Sequence, residues 1–162
     1  MIKLGIVSDS HGAHFWIERY LEKCRTEKYD AVFHLGDFHT DARWLERRLD
    51  VPLIAVAGNC DVFSNHQRLA LAEYEGRKIL AAHGHLQDVK YGYDRLSYLA
   101  EEQGAQIALF GHTHRQFVGF VGRILMINPG ALQVGDCCEL LLDGERMVPR
   151  ELSLADNTKE DE

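Results

Sequence analysis

Five apolar segments of this chain end in the same way. LGIVSDSH, AVFHLGD, LIAVAGN, KILAAHGH and IALFGHTH each run through an apolar stretch, and in all but one case a small residue, to side chains that bind metals. Those side chains are Asp9 and His11, then Asp37, Asn59, His83, and finally His112 with His114. Short continuous apolar runs suit strands buried on both faces. In an α/β sheet, ligands collect beyond the carboxyl ends of the strands, where the connecting loops converge. Glycines at 36, 58, 84 and 111 allow sharp turns at those ends. The repeated ending therefore predicts parallel strands that deliver all of these donors to one rim.

Taken singly, each donor is weak evidence. A histidine at a strand end commonly caps the strand, and Gly-Asp or Gly-Asn is an ordinary turn. His112 and His114 carry more, because an i, i+2 pair in extended backbone shares a face. The conjunction of seven donors after five strands is what defeats coincidence. Seven exceed what one tetrahedral zinc takes, and they suit two ions sharing a carboxylate. Oxygen and imidazole favour manganese, with iron, cobalt, nickel or zinc as other candidates, and disfavour calcium. Two divalent ions bring four positive charges; the aspartates remove two and a bridging hydroxide one. The pocket would be net positive within a chain of formal charge −7. Phosphate is its natural guest, and ions ~3.5–4 Å apart clamp the attacking and leaving oxygens of an in-line displacement.

Around these strands the pattern predicts a helix carrying Trp16, Ile17, Tyr20, Leu21 and Cys24, and a short one capped by Asp41 with Trp44, Leu45 and Leu49. A third helix is expected near Tyr93 to Gln103. Hairpins are expected at Glu75-Gly76-Arg77, at Gly122 and at Asp143-Gly144, so antiparallel pairs should build the C-terminal half. Together these predict one α/β domain over 1–152, a sandwich of two sheets of mixed parallel and antiparallel strands with flanking helices, followed by an acidic tail at 153–162.

The acidic balance argues against long nucleic acids as partners. No apolar run reaches the roughly 18 residues that span a bilayer, and KLGIVS at the amino terminus lacks the pattern of a signal peptide. Cys24, Cys60, Cys137 and Cys138 show no paired spacing, and neighbours 137 and 138 should face opposite sides of a strand. A cytoplasmic protein with reduced thiols, outside any membrane, is expected. The apolar C-terminal hairpins offer a surface for self-association into a homo-oligomer.

Asp9-x-His11, Gly36-Asp37, Gly58-Asn59, His83 and Gly111-His112-x-His114 resemble the motif series of the calcineurin-like metallophosphoesterase superfamily. The chain length, the HGH at 83–85 and Asn128-Pro129-Gly130 resemble its small YfcE-type phosphodiesterases. The resemblance implies a binuclear centre: Asp9, His11 and His114 on one ion, Asn59, His83 and His112 on the other, and Asp37 bridging. It also implies hydrolysis of a small phosphate diester by a metal-bridging hydroxide. Asp37, Asn59, Cys60, Asp61 and His85 are the candidate catalytic residues. Two positions depart from the family. Cys60 stands where many members carry a histidine steadied by the next acidic residue, here Asp61; Ala131 stands where the branch usually has serine. His85 and His39 are candidate supports for the ligands, His34 a core residue, and His14 and His66 solvent-facing.

Three other readings compete with this one. A cysteine-dependent phosphatase needs an arginine six residues after its nucleophile, and position 66 is histidine. A non-catalytic adaptor on the same fold resembles the retromer subunit, but such proteins usually lose a ligand. A phosphomonoesterase or nucleotide-directed nuclease would share the same donors.

Overall fold

A computed structural model describes residues 1–62 and 65–155. Ten strands form two five-stranded sheets. The first is built from β1 (Ile2–Val7), β2 (Ala31–His34), β3 (Leu53–Ala55), β9 (Asp136–Asp143) and β10 (Arg146–Ser153), in the order β10-β9-β1-β2-β3. The second holds β4 (Leu69–Tyr74), β5 (Arg77–Ala82), β6 (Ile107–Leu109), β7 (Phe117–Val121) and β8 (Ile124–Asn128), in the order β4-β5-β6-β8-β7. This is the two-sheet α/β sandwich that the alternating pattern predicts.

Leu4, Ile6, Phe33, Ile79, Leu109, Ile127 and Cys138 fill the space between the sheets. Helices α1 (His14–Glu27) and α2 (His39–Arg48) cover the outer face of the first sheet, where Ile17, Tyr20 and Leu45 pack on Val7, Val32 and Cys137. Helix α3 (Asp94–Glu102) covers the second with Leu96 and Ala100 against Leu80, Ala108 and Met126. Cys137 and Cys138 do face opposite sides of β9, and all four thiols are free.

Three expectations are corrected. The C-terminal half is not simply antiparallel: β5, β6 and β8 pair in parallel, with β4 and β7 as antiparallel edges. A parallel centre is what brings the ends of β5 and β6 to the same rim. Hairpin β9–β10 instead crosses back to extend the first sheet antiparallel to β1. Asp41 does not cap α2; the helix starts at His39, whose N–H is taken by Asp61 Oδ1 at 2.9 Å. Finally, β10 runs to Ser153 and Leu154 is buried, so the fold continues past the expected start of the tail. The rest of that tail, 156–162, lies outside the described residues. No helix among the described residues is long and apolar enough to cross a membrane.

Candidate metal centre

Donors from both sheets meet beyond the carboxyl ends of β1, β2, β3, β5 and β6. The donor atoms of Asp9, His11 and His114 lie within 4.8 Å of one another, and so do those of Asp37, His83 and His112. His83 Nε2 stands 3.0 Å from Asn59 Oδ1, 3.4 Å from Asp37 Oδ2 and 3.9 Å from Asp9 Oδ1. His114 Nε2 is 3.1 Å from Asp9 Oδ1. His11 Nε2 lies 3.7 Å from Asp9 Oδ1 and 3.8 Å from Asp37 Oδ2. All seven donors singled out in the sequence are thus gathered, and Asp37 Oδ2 stands between the two groups.

Each carboxylate divides its oxygens between scaffold and centre. Asp9 Oδ2 accepts from Ser8 Oγ at 2.6 Å and from the His112 N–H at 3.0 Å, leaving Oδ1 towards the histidines. Asp37 Oδ1 accepts the Cys60 N–H at 2.9 Å, leaving Oδ2 free for the centre. His83 Nδ1–H donates to the Leu35 carbonyl at 2.7 Å, which fixes the tautomer and turns the Nε2 lone pair inward. The His83 side chain is fully buried whereas that of His114 is 46% exposed, so the centre opens on the His114 side.

The backbone here is held under strain. Asp9, His11, Asp37, His112 and His114 all have positive φ, between 44° and 71°, so His112 and His114 are not the extended pair expected and turn to different donor groups. Such conformations cost L-residues roughly 1 kcal/mol or more each and cluster where function needs them. Close approach also dictates glycine at two points. A Cβ on Gly58 would collide with the Asp37 carboxylate, and one on Gly111 with the Ser8 hydroxyl and Asp9. Asn128 pins the last motif, donating to the Gly111 carbonyl at 3.2 Å and to Thr113 Oγ1 at 2.9 Å.

The donor set fits divalent cations. His11 Nε2 is a buried nitrogen without a hydrogen-bond partner, too far from its two neighbouring carboxylates to bond them. Ligands of one ion with bonds of ~2.1 Å stand about 3–4 Å apart, and His114–Asp9, His83–Asp37 and His11–Asp9 donor atoms stand 3.1, 3.4 and 3.7 Å apart. Burial alone would raise the Asp37 carboxyl, but the hydrogen bond and charge of His83 and the Cys60 N–H hold it well below the usual range. Burial disfavours the His83 imidazolium, yet Asp37 and Asp9 raise it. The pair thus attracts positive charge into the gap between two carboxylates. His112 is pushed down by burial, then by His83 and Lys90, which keeps its lone pair available.

The remaining candidates divide. Cys60 is exposed, with its sulfur within 4.8 Å of the His11 and Asp37 donors. Burial and then the Asp37 carboxylate raise its thiol. Asp61 does not reach out to steady residue 60. It is buried, and its oxygens accept backbone N–H groups of Gly58 at 2.9 Å, Asp37 at 3.0 Å and His39 at 2.9 Å. It is the staple between two motif loops. His85 is half-buried at the rim, its ring 5.4 Å from His83 and 6.1 Å from His112. His39 Nδ1 lies 3.5 Å from Asp61 Oδ1, away from the donors. His34 is buried as expected and His14 is exposed, but His66 is half-buried rather than solvent-facing. Ser8 and Ser10, which the sequence does not single out, are fully buried; Ser8 donates to the donor Asp9, and Ser10, between Asp9 and His11, donates to Asp41 of α2. Their spacing carries no signal, because serine beside a turn is commonplace.

The profile of the "Calcineurin-like phosphoesterase superfamily domain" matches residues 2–137. The Bacillus subtilis protein named "Probable metallophosphoesterase YsnB" is 35% identical over 80% of this chain and 74% of its own. "Phosphodiesterase YfcE" of Escherichia coli is 28% identical over 83% and 81%. A crystal structure from Streptococcus pneumoniae, described as a predicted phosphoesterase, superposes with a TM-score of 0.80 at 28% identity over 95% of this chain and 90% of that one. A Vps29 structure from Entamoeba histolytica shares the fold, with a TM-score of 0.75 at 18% identity over 94% and 100%. With its motif residues gathered at one sheet rim and its family profile matched over most of its length, the chain belongs to the calcineurin-like phosphoesterase superfamily.

Proposed function

We propose that this protein is a phosphodiesterase that uses two divalent ions, manganese foremost, to hydrolyse small phosphate diesters. The observation that carries the reading is the place of Asp37 Oδ2, 3.8 Å from His11 Nε2 of one donor group and 3.4 Å from His83 Nε2 of the other. Asp9, His11 and His114 would hold one ion, Asn59, His83 and His112 the second, and Asp37 both. Bound ions supply Lewis acidity and a hydroxide nucleophile near neutral pH. The chain's own residues do the rest. Asp9 and Asp37 keep their outward oxygens aimed because their other oxygens are bonded to Ser8, His112 and Cys60. Burial, then His83 and Arg68, push the His85 imidazole down, and its half-buried ring beside His83 and His112 would meet a phosphate oxygen at the mouth. Between Asp61 and His83 the described residues 69–82 form the β4–β5 hairpin, which fits a rim that selects substrates by phosphate geometry.

Support comes from relatives named phosphodiesterase, YfcE and a protein of Methanocaldococcus jannaschii at 28% identity over 94% of this chain and 99% of its own. The test is metal content by elemental analysis, with a screen of phosphate mono- and diesters before and after chelation. Two ions per chain and metal-restored diester hydrolysis are expected. One ion at saturation, or full activity in chelator, overturns the binuclear reading. A second reading, a protein-binding adaptor, draws on the Vps29 fold likeness. It predicts no hydrolysis of any ester with both ions bound.

A further inference from the structure

Beneath the donor loops runs a buried polar chain that contains none of the donors. Ser10, His34 and Asp41 are all buried. The Gly36 N–H donates to His34 Nδ1 at 3.3 Å, and His34 Nε2 stands 3.0 Å from Ser10 Oγ. The Ser10 hydroxyl donates to Asp41 Oδ2 at 2.7 Å, and the Gly12 N–H donates to the same oxygen at 2.7 Å. One proton arrangement satisfies every link. His34 is neutral with its proton on Nε2, donating to Ser10, and Ser10 donates its own proton to Asp41.

The links fall at telling places. Ser10 separates Asp9 from His11, Gly12 follows His11, and Gly36 precedes Asp37. The three donors so flanked all hold positive φ: 52° at Asp9, 44° at His11 and 53° at Asp37. Strained backbone persists only where its surroundings over-determine it. A carboxylate oxygen accepting two hydrogen bonds is a strong anchor for that purpose. Two direct backbone bonds, Asp9 N–H to Gly36 O at 2.9 Å and His11 N–H to Asp37 O at 3.5 Å, then lock the two loops to each other.

We propose that Ser10, His34 and Asp41 are positioning residues of the metal centre, fixing the backbone around His11 and Asp37 so that these side chains meet the same cation. This rests on the reading of the centre as a divalent-metal site. Joined through Ser10, His34 and Asp41 end the chain on the Gly36 and Gly12 amides beside donors, so losing one member should cost aim before it costs fold.

The experiment is a calorimetric Mn2+ titration of the chelator-treated full chain, paired with its thermal midpoint. Both bonds at Asp41 land on one oxygen, so the amide oxygen of Asp41→Asn can accept both, and near wild-type affinity is expected. Asp41→Ala and Ser10→Ala should weaken Mn2+ binding by ~10–100-fold, the usual effect of losing a partner behind a ligand. Ser97→Ala is the control. It removes a bond from a buried serine of α3 to the carbonyl of Val121, which pairs with Ile124 at the start of β8, at the end of the sheet opposite the donor rim, and should lower the midpoint with affinity unchanged. Should Asp41→Ala fail to fold, Ser10→Ala carries the test. Wild-type affinity in Ser10→Ala, or an affinity loss in Ser97→Ala that matches its loss of midpoint, overturns the positioning role. A wild-type chain that binds no Mn2+ overturns the metal reading itself, and the positioning role falls with it.

Discussion

His83 Nε2 and Asp37 Oδ2 stand 3.4 Å apart although their strands belong to different sheets. The two sheets therefore do not merely share a core; each completes the other's site. Asp37 is the donor common to both groups, so Asp37→Asn should lower metal content and cut diester hydrolysis at least about a hundredfold. The fold should survive, because Asn Oδ1 can still accept the Cys60 N–H that Asp37 Oδ1 accepts now. Elemental analysis, turnover and circular dichroism check this together. Two ions and near wild-type turnover in the variant would remove the bridging assignment.

Asp61 supplies a second prediction. Its carboxylate accepts three backbone N–H groups from two loops. Asp61→Ala leaves them without an acceptor at a buried site, at a cost of about 2–4 kcal/mol in stability. Asp61→Asn keeps one acceptor oxygen and should lose less. Denaturant midpoints rank the three proteins. If alanine and asparagine cost the same, acceptance by this carboxylate is not what holds the loops.

The acid limb of stability should report His34. Burial pushes its imidazole down to about 4 in the folded chain, against ~6.5 when unfolded. Above pH ~6.5 both states are neutral and its contribution is complete. As pH falls from there to about 4, the unfolded chain gains a proton that the folded chain refuses, and stability drops by on the order of 3 kcal/mol. His83 is raised in the folded state and acts with the opposite sign, its contribution being lost as pH rises. The measurement is therefore a comparison, in chelator, of wild type with His34→Gln from pH 7 to 4. The wild type should lose stability more steeply; parallel curves would show that His34 is not the group refusing the proton.

Much of this was legible because the donors are punctuation. An apolar run that stops at Asp9, Asp37, Asn59, His83 or His112 shows both where a strand ends and what waits there. Parallel topology in the second sheet was less legible. Hairpin signals at Gly76 and Gly122 are local, whereas the pairing of β6 with β5 and β8 depends on contacts distant in sequence. Asp41 and Asp61 were misread for a related reason. An aspartate near a helix start or a turn usually serves its own neighbourhood, but these two reach loops 29 and 24 residues away. Only the packed structure brings Gly12 and Asp37 within their range.

Cys60 carries the last prediction. Its N–H is bonded to Asp37 and its sulfur lies within 4.8 Å of the His11 and Asp37 donors, so its side chain borders any phosphate held there. A leaving oxygen needs a proton. Imidazole, near ~6.5, supplies one readily at neutral pH, and a thiol near ~8.5 does so poorly. Burial and the neighbouring Asp37 raise this thiol further in the metal-free chain. Cys60→Ser should therefore keep its metals and most of its activity, and the enzyme should prefer diesters with good leaving groups. Cys60→His should speed hydrolysis of poor leaving groups and add a limb near the imidazole pKa to the rate profile. The gain is limited by Asp61, whose oxygens are already engaged on the backbone and are poorly placed to steady the new ring. Loss of activity in Cys60→Ser with both metals still bound would mean that the thiol takes part in the chemistry.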